Sequence, residues 1–271
     1  MSRVLRYLPK AWLSWSAGRV ARSSSSRLLI PWFARHYGVD RAAAVVPEGG
    51  YANLQQFFCR QLLPTQRPVD ASPRVLVSPV DGTLGASGVV EDGQLWQAKG
   101  HRYSLAALLG DAEAASRFRG GRYCTLYLAP GDYHRVHAPT AGRVRTARYI
   151  PGAYWPVNPQ AVARIPGLFT SNERLVTELE TGGGQVALVM VGACLVGGIR
   201  VNYDPAWNAG PGPHRAAERH YDPAAVFARG QELGRFEFGS TVIVLSEAAM
   251  GGETAALPGG CLHFGEPLLK F

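Results

Sequence analysis

Cysteine is scarce and scattered in this sequence: Cys59, Cys124, Cys194 and Cys261 are all there is in 271 residues, with no Cys-x-x-Cys pair. That spacing offers neither a zinc site nor a disulfide framework, so the four read as inert thiols in a reducing compartment, and no metal is implied. Long apolar runs are missing too. Arg35 and the Ser23 to Ser26 run break the best candidate before it reaches the roughly eighteen apolar residues of a membrane-spanning helix. Pro9, Ser14, Ser16 and Arg19 interrupt any apolar core of a secretory signal. No segment repeats at a solenoid-like period. No nucleic-acid motif is present, and the early aromatics sit among Leu and Ile rather than on a strand platform, so nucleic acid is not an expected partner. Glycine (32) and proline (19) are abundant, which favours many short strands and turns over a helical bundle, and 46% hydrophobic residues suffice for one large core or two modest ones.

Acidic residues are absent before Asp40, whereas Arg3, Arg6, Lys10, Arg19, Arg22, Arg27 and Arg35 all precede it in a chain of net charge +8. Trp12, Trp15, Leu28, Leu29, Trp32 and Phe33 lie among them. A basic stretch rich in Trp and Leu suits a helix lying on an anionic membrane surface, each cation adding about 1 kcal/mol before screening. Two other origins fit the same composition: an Arg-rich, Ser-rich organellar transit peptide, or a basic helical hairpin packed on its own domain.

Past this region, Leu54, Phe57, Phe58 and Leu62 recur at helical spacing, which predicts a helix over 51–63 stopped by Pro64. From Val75 the pattern turns to short apolar runs divided by Gly and Pro. Strands are predicted over 75–78, 85–90, 122–128, 143–149, 175–181, 185–191, 193–200 and 241–245, with a short helix over 104–109. The polar stretch 203–230, with Pro205, Gly210, Pro211, Gly212 and Pro213, reads as a long functional loop.

Three segments carry chemistry. Gly239-Ser240-Thr241 opens the run Val242-Ile243-Val244-Leu245, which places a hydroxyl next to a flexible backbone carbonyl at the mouth of a strand. Asp132-Tyr133-His134-Arg135-Val136-His137 offers two imidazoles three residues apart, and Ser78-Pro79-Val80-Asp81-Gly82 offers a carboxylate in a turn. Asp, His and Ser are the groups of a hydrolase triad, in which the acid orients the base and the base deprotonates the hydroxyl. No Gly-x-Ser-x-Gly elbow surrounds Ser240, however.

Taken with Phe57-Phe58-x-Arg60-x-Leu62-x-Pro64, Arg67-Pro68-Val69-Asp70, Lys99-Gly100, Pro156-Val157-Asn158, Asn172-Glu173-Arg174 and Gly230-x-Glu232-x-Gly234-x-Phe236, these blocks resemble the phosphatidylserine decarboxylases of the bacterial and organellar proenzyme type from Leu54 to Phe271. Phe238 stands where that family usually has Leu. The resemblance implies an α+β fold, a β-rich core of hybrid sheets in a barrel-sandwich like that of carrier modules, behind N-terminal membrane-associated helices. It implies a basic amphipathic membrane-binding region over 1–63 and a catalytic domain over 64–271, self-cleaved into a β chain, 1–239, and an α chain, 240–271, that remain associated. Asp81 would hold the His137 imidazole, and His137 would take the proton of Ser240 as its oxygen attacks the Gly239 carbonyl. Elimination would then break the chain and leave a pyruvoyl group made from Ser240 as cofactor. That group would take up the amine of phosphatidylserine and accept the electrons released with carbon dioxide, giving phosphatidylethanolamine, while His134 positions the carboxylate or supplies the proton. A peripheral location follows, on the cytoplasmic face of the cell membrane in a bacterium or on an organellar membrane, and a homo-oligomer stays open. So do a pyruvoyl decarboxylase of a soluble amino acid, a Ser-His-Asp hydrolase with Ser240 intact, and a non-catalytic membrane-binding module.

Overall fold

A computed structural model describes residues 18–193, 198–208, 215–237 and 239–271. The basic and aromatic positions up to Trp15 lie outside the described residues, as do Phe238 and residues 194–197 of the predicted strand 193–200.

The alternation of Val242-Ile243-Val244-Leu245 explains the centre of the fold. Successive strand side chains point to opposite faces, so Val242 and Val244 enter one apolar core while Ile243 and Leu245 enter a second on the other face. Every residue of the strand Ser240–Ser246 is buried, as expected of an apolar run covered on both sides. It pairs antiparallel with Arg122–Leu128 on one side and Gly184–Val191 on the other. These belong to an eight-stranded sheet that continues through Arg174–Thr181 and Gly142–Ile150 to Ala217–Phe227 at one edge, and through Gly82–Val89 to Cys261–Leu262 at the other.

A three-stranded sheet of Ile199–Val201, Glu232–Phe236 and Arg135–His137 packs on the Val242 face through Val136, Leu233 and Phe236. A second small sheet joins Val75–Val77, Pro267–Lys270 and Glu253–Thr254. The molecule is thus a β-rich α+β protein. Its large sheet is open at both edges, and the barrel-sandwich form drawn from the resemblance finds no closed barrel among the described residues.

Two predicted elements differ from those observed. The helix expected over 51–63 is confined to Leu54–Phe58, capped by the Asn53 side chain on the Gln56 amide. It stops early because the carbonyls of Cys59 and Arg60 accept hydrogen bonds from the Arg135 side chain, which a continuing helix would engage itself. The loop expected over 203–230 holds an eleven-residue strand, Ala217–Phe227, at the sheet edge. Its mostly exposed side chains and its Pro223 suit an edge strand, which needs neither two apolar faces nor every N–H.

The N-terminal described segment forms a short 3-10 helix, Ser24–Leu29, and an α-helix, Ile30–His36. Ile30, Phe33 and Ala34 pack on Phe57, Phe58 and Cys59. Full burial of a side chain such as Phe57 contributes about 2 kcal/mol, so the segment is anchored to the body. Val20, Leu28 and Trp32 are 61%, 76% and 58% exposed. No helix among the described residues is long and apolar enough to cross a membrane.

Candidate active site

Ser240 is the first residue of its strand and pairs across the ladder with Leu128. It shares the face of Val242 and Val244, the face on which the three-stranded sheet that ends in His137 is packed. Its side chain is fully buried and its Oγ has no hydrogen-bond partner among the described residues. With Gly239 it lines a cavity of about 520 Å³. The opposite wall comes from the N-terminal helices and the Leu54–Phe58 helix, through Leu29, Trp32, Phe33 and Phe58. A buried hydroxyl without a partner costs roughly 1–3 kcal/mol in desolvation, so one left in place calls for a reason.

Both histidines sit on or beside the strand Arg135–His137, and the structure fixes their tautomers. His134 Nδ1 lies 2.9 Å from the Asp132 carbonyl. A carbonyl only accepts, so Nδ1 carries the proton and Nε2 holds a lone pair. That Nε2 is buried with no partner among the described residues. The ring leans on Phe58 at 4.0 Å between centroids, and Phe58 also lines the Ser240 cavity. Burial pushes His134 down to about 3.

His137 donates through Nδ1 to the Gly230 carbonyl at 2.8 Å, and its Nε2 accepts from the Tyr133 hydroxyl at 3.1 Å. Gly230 adopts φ +77°, and a Cβ there would meet Val69 Cγ2 at 2.8 Å, so glycine is required for this carbonyl to reach the ring. Burial lowers His137 to about 4, partly offset by its bond to Gly230 and by Glu232. Both imidazoles are therefore neutral at physiological pH and able to accept a proton.

Asp81 was expected to orient His137. Among the described residues its hydrogen bonds go elsewhere: Arg67 Nε and Nη2 approach the carboxylate at 3.0 and 2.6 Å, and the Phe264 amide donates to Oδ1 at 2.8 Å. Both ring nitrogens of His137 are already engaged, which leaves none for the carboxylate. The groups remain neighbours, because the Phe264 ring lies 3.7 Å from that of His137, 18° from parallel. No described hydrogen bond joins Ser240 to either histidine.

Composition and spacing gave no signal for Phe264, a lone aromatic in a turn, nor for the hydroxyl of Tyr133 as a partner of His137. Arg67 lay in a recognisable block, but its grip on Asp81 depends on the folded chain.

A buried hydroxyl beside a glycine, without a hydrogen-bond partner among the described residues, and two histidines on or beside a strand packed over the same sheet are the kinds of group that base-assisted acyl chemistry uses. Comparison with known families narrows that class. The family model for phosphatidylserine decarboxylase matches residues 54–270. A phosphatidylserine decarboxylase proenzyme of Anaeromyxobacter sp. (strain K) is 47% identical over 271 residues, covering 97% of this chain and 95% of the relative. Proenzymes of the same name from Myxococcus xanthus and Nitrosospira multiformis are 43% and 42% identical, covering 90% and 96% of this chain and 88% and 93% of the relatives. The chain belongs to the phosphatidylserine decarboxylase family.

Proposed function

We propose that this protein cleaves itself between Gly239 and Ser240 and then decarboxylates phosphatidylserine to phosphatidylethanolamine. The observation that carries the reading is the buried Ser240 Oγ, unpartnered beside Gly239 at the wall of an apolar cavity. Ser240 Oγ attacks the Gly239 carbonyl carbon as a neutral imidazole takes its proton. The amide becomes an ester, and the Ser240 nitrogen leaves as a free amine. Loss of the Ser240 α-proton then expels the Gly239 carboxylate, and hydrolysis of the resulting dehydroalanine releases ammonia and leaves the pyruvoyl group at position 240. Holding attacker and carbonyl in one chain supplies proximity, and general-base assistance contributes roughly 10² to 10⁴.

His137 is assigned as the base of this step. Accepting the serine proton at Nε2 exchanges the Tyr133 hydroxyl for that of Ser240, while the Nδ1–H bond to Gly230 keeps the ring's tautomer. His134, whose Nε2 accepts from nothing among the described residues, is assigned to the substrate carboxylate or to the proton delivered after carbon dioxide leaves. The pyruvoyl group supplies an electron-accepting carbonyl. A position with no competing hydrogen bond and no bulk water fits such a group.

The cavity favours a lipid over a soluble amino acid, since its walls of Leu29, Trp32, Phe33 and Phe58 suit acyl chains. Exposed Val20, Leu28 and Trp32, beside Arg19, Arg27 and Arg35, suit peripheral attachment to an anionic membrane, on the cytoplasmic face if the cell is bacterial. After cleavage the 240–271 piece stays bound. Its first strand is paired on both sides, and Cys261–Leu262 and Pro267–Lys270 pair with Gly82–Val89 and Val75–Val77.

Intact-mass spectrometry of purified protein tests the reading. Two chains divided after 239, the second blocked by a pyruvoyl group, are expected; a single full-length mass in active protein would overturn it.

A further inference from the structure

Phe264 lies beyond the proposed cut, in the turn between Cys261–Leu262 and Pro267–Lys270. The turn is fastened from several sides. The Gly265 amide donates to the Ser78 carbonyl at 3.0 Å, the Ser78 amide to the Glu266 carbonyl at 2.7 Å, and the Asp70 amide to the Gly265 carbonyl at 2.9 Å. Gly265 has φ +91°, and a Cβ there would fall 2.6 Å from the Pro68 carbonyl oxygen, so only glycine permits this approach. The Phe264 amide is the remaining anchor, donating to Asp81 at 2.8 Å. Asp81 is in turn clamped by Arg67.

All this fixes one aromatic ring, whose face covers the His137 imidazole. Tyr133 flanks the same imidazole, 5.6 Å away and 29° from parallel, and bonds its Nε2. The orientation of His137 is therefore set by Phe264, Tyr133 and the Gly230 carbonyl together.

We propose that Phe264 is the positioning residue of His137, and that Asp81 acts on the imidazole through Phe264, by holding its backbone, with Arg67 as the clamp on Asp81. The proposal rests on the reading of His137 as the base of self-cleavage. A flat ring against the imidazole restricts its rotation and keeps water from that face, and the burial that lowers His137 to about 4 depends on this cover. Phe264 belongs to the 240–271 piece and His137 to the 1–239 piece, so each side of the proposed cut contributes to seating the base.

The test follows processing of the full-length chain by intact mass, from about pH 4 to 8, in wild type, Phe264→Tyr, Phe264→Leu and Phe264→Ala. Phe264→Tyr keeps a stacking ring and is expected within about threefold of wild type. Phe264→Leu and Phe264→Ala are expected to process more than roughly tenfold slower, with the acid limb moving up toward the ordinary imidazole value near 6.5. In a Ser240→Ala background, where the chain stays whole, NMR titration of His137 should show the same upward movement for Phe264→Ala. If Phe264→Ala does not fold, Phe264→Tyr against Phe264→Leu decides. Leu processing as fast as Tyr, or an acid limb and titration unmoved by loss of the ring, overturns the proposal while a cleaved wild type leaves the self-cleavage reading standing. An uncleaved wild type sinks that reading and this proposal with it.

Discussion

Ser240 and His134 are buried as deeply as Asp81 and His137, yet the two pairs are held differently. Among the described residues Ser240 Oγ and His134 Nε2 have no hydrogen-bond partner, whereas both oxygens of Asp81 and both ring nitrogens of His137 are engaged. The first pair borders an apolar cavity directly or through Phe58; the second is built into a lattice of turns and stacked rings. Buried polar atoms without partners oppose folding, while fully satisfied ones rigidify it. The contrast divides the site: Ser240 and His134 each keep a polar atom free of hydrogen bonds among the described residues, while Asp81 and His137 are held in a fixed orientation.

The strongest way to break that contrast is Ser240→Ala. The chain is expected to remain a single species with decarboxylation at background, while circular dichroism and the melting transition report an intact fold; unfolding would mean that the hydroxyl has a structural partner after all. Asp81→Asn should behave in the opposite manner, losing stability as well as processing. Removing the charge facing Arg67 is expected to cost about 2–3 kcal/mol in chemical denaturation, somewhat below the cost for a fully buried pair because the Arg67 side chain is 22% exposed. A melting curve unchanged from that of the uncleaved Ser240→Ala chain would remove Asp81 from the fixed half of the comparison.

Acid sharpens the same division. Both histidines have folded values below their unfolded value near 6.5, His137 at about 4 and His134 at about 3, so the unfolded chain takes up protons first. The stability they contribute is fully present above about pH 6.5 and is lost as pH falls toward the folded values, by roughly 1 kcal/mol per pH unit for each histidine. Urea midpoints measured across this range in the Ser240→Ala chain should fall with pH, and His134→Gln should flatten the slope. An equal slope in that variant would mean that His134 is not the buried neutral base described here. The smallest effect is expected at the surface: Leu28→Asp, at a position 76% exposed, should weaken binding to anionic vesicles about tenfold in sedimentation, consistent with losing one buried leucine and adding one like charge.

Much of this was legible in the linear chain, for physical reasons that can be named. Residues 122–128 and 241–245 read as strands because a run covered on both faces is mostly apolar, and both are central strands. Ser240, His134, His137 and Asp81 stood out as residue types at strand ends, where chemistry is usually placed. Ala217–Phe227 escaped because an exposed edge strand carries no apolar alternation, and the helix after Asn53 was overextended because nothing local shows Arg135 capturing its carbonyls. The partners of Asp81 were equally hidden. Phe264 reaches Asp81 across 183 positions of chain, a separation at which no periodicity survives.

The woven position of residues 261–270 has a temporal consequence. The turn that carries Phe264 and the strand Pro267–Lys270 close against Val75–Val77 and Ser78, residues made long before them. A nascent chain that already holds Ser240 and both histidines still lacks the seat for its base. Self-cleavage on the proposed reading therefore comes after residues 261–270 have been made and have docked on the body.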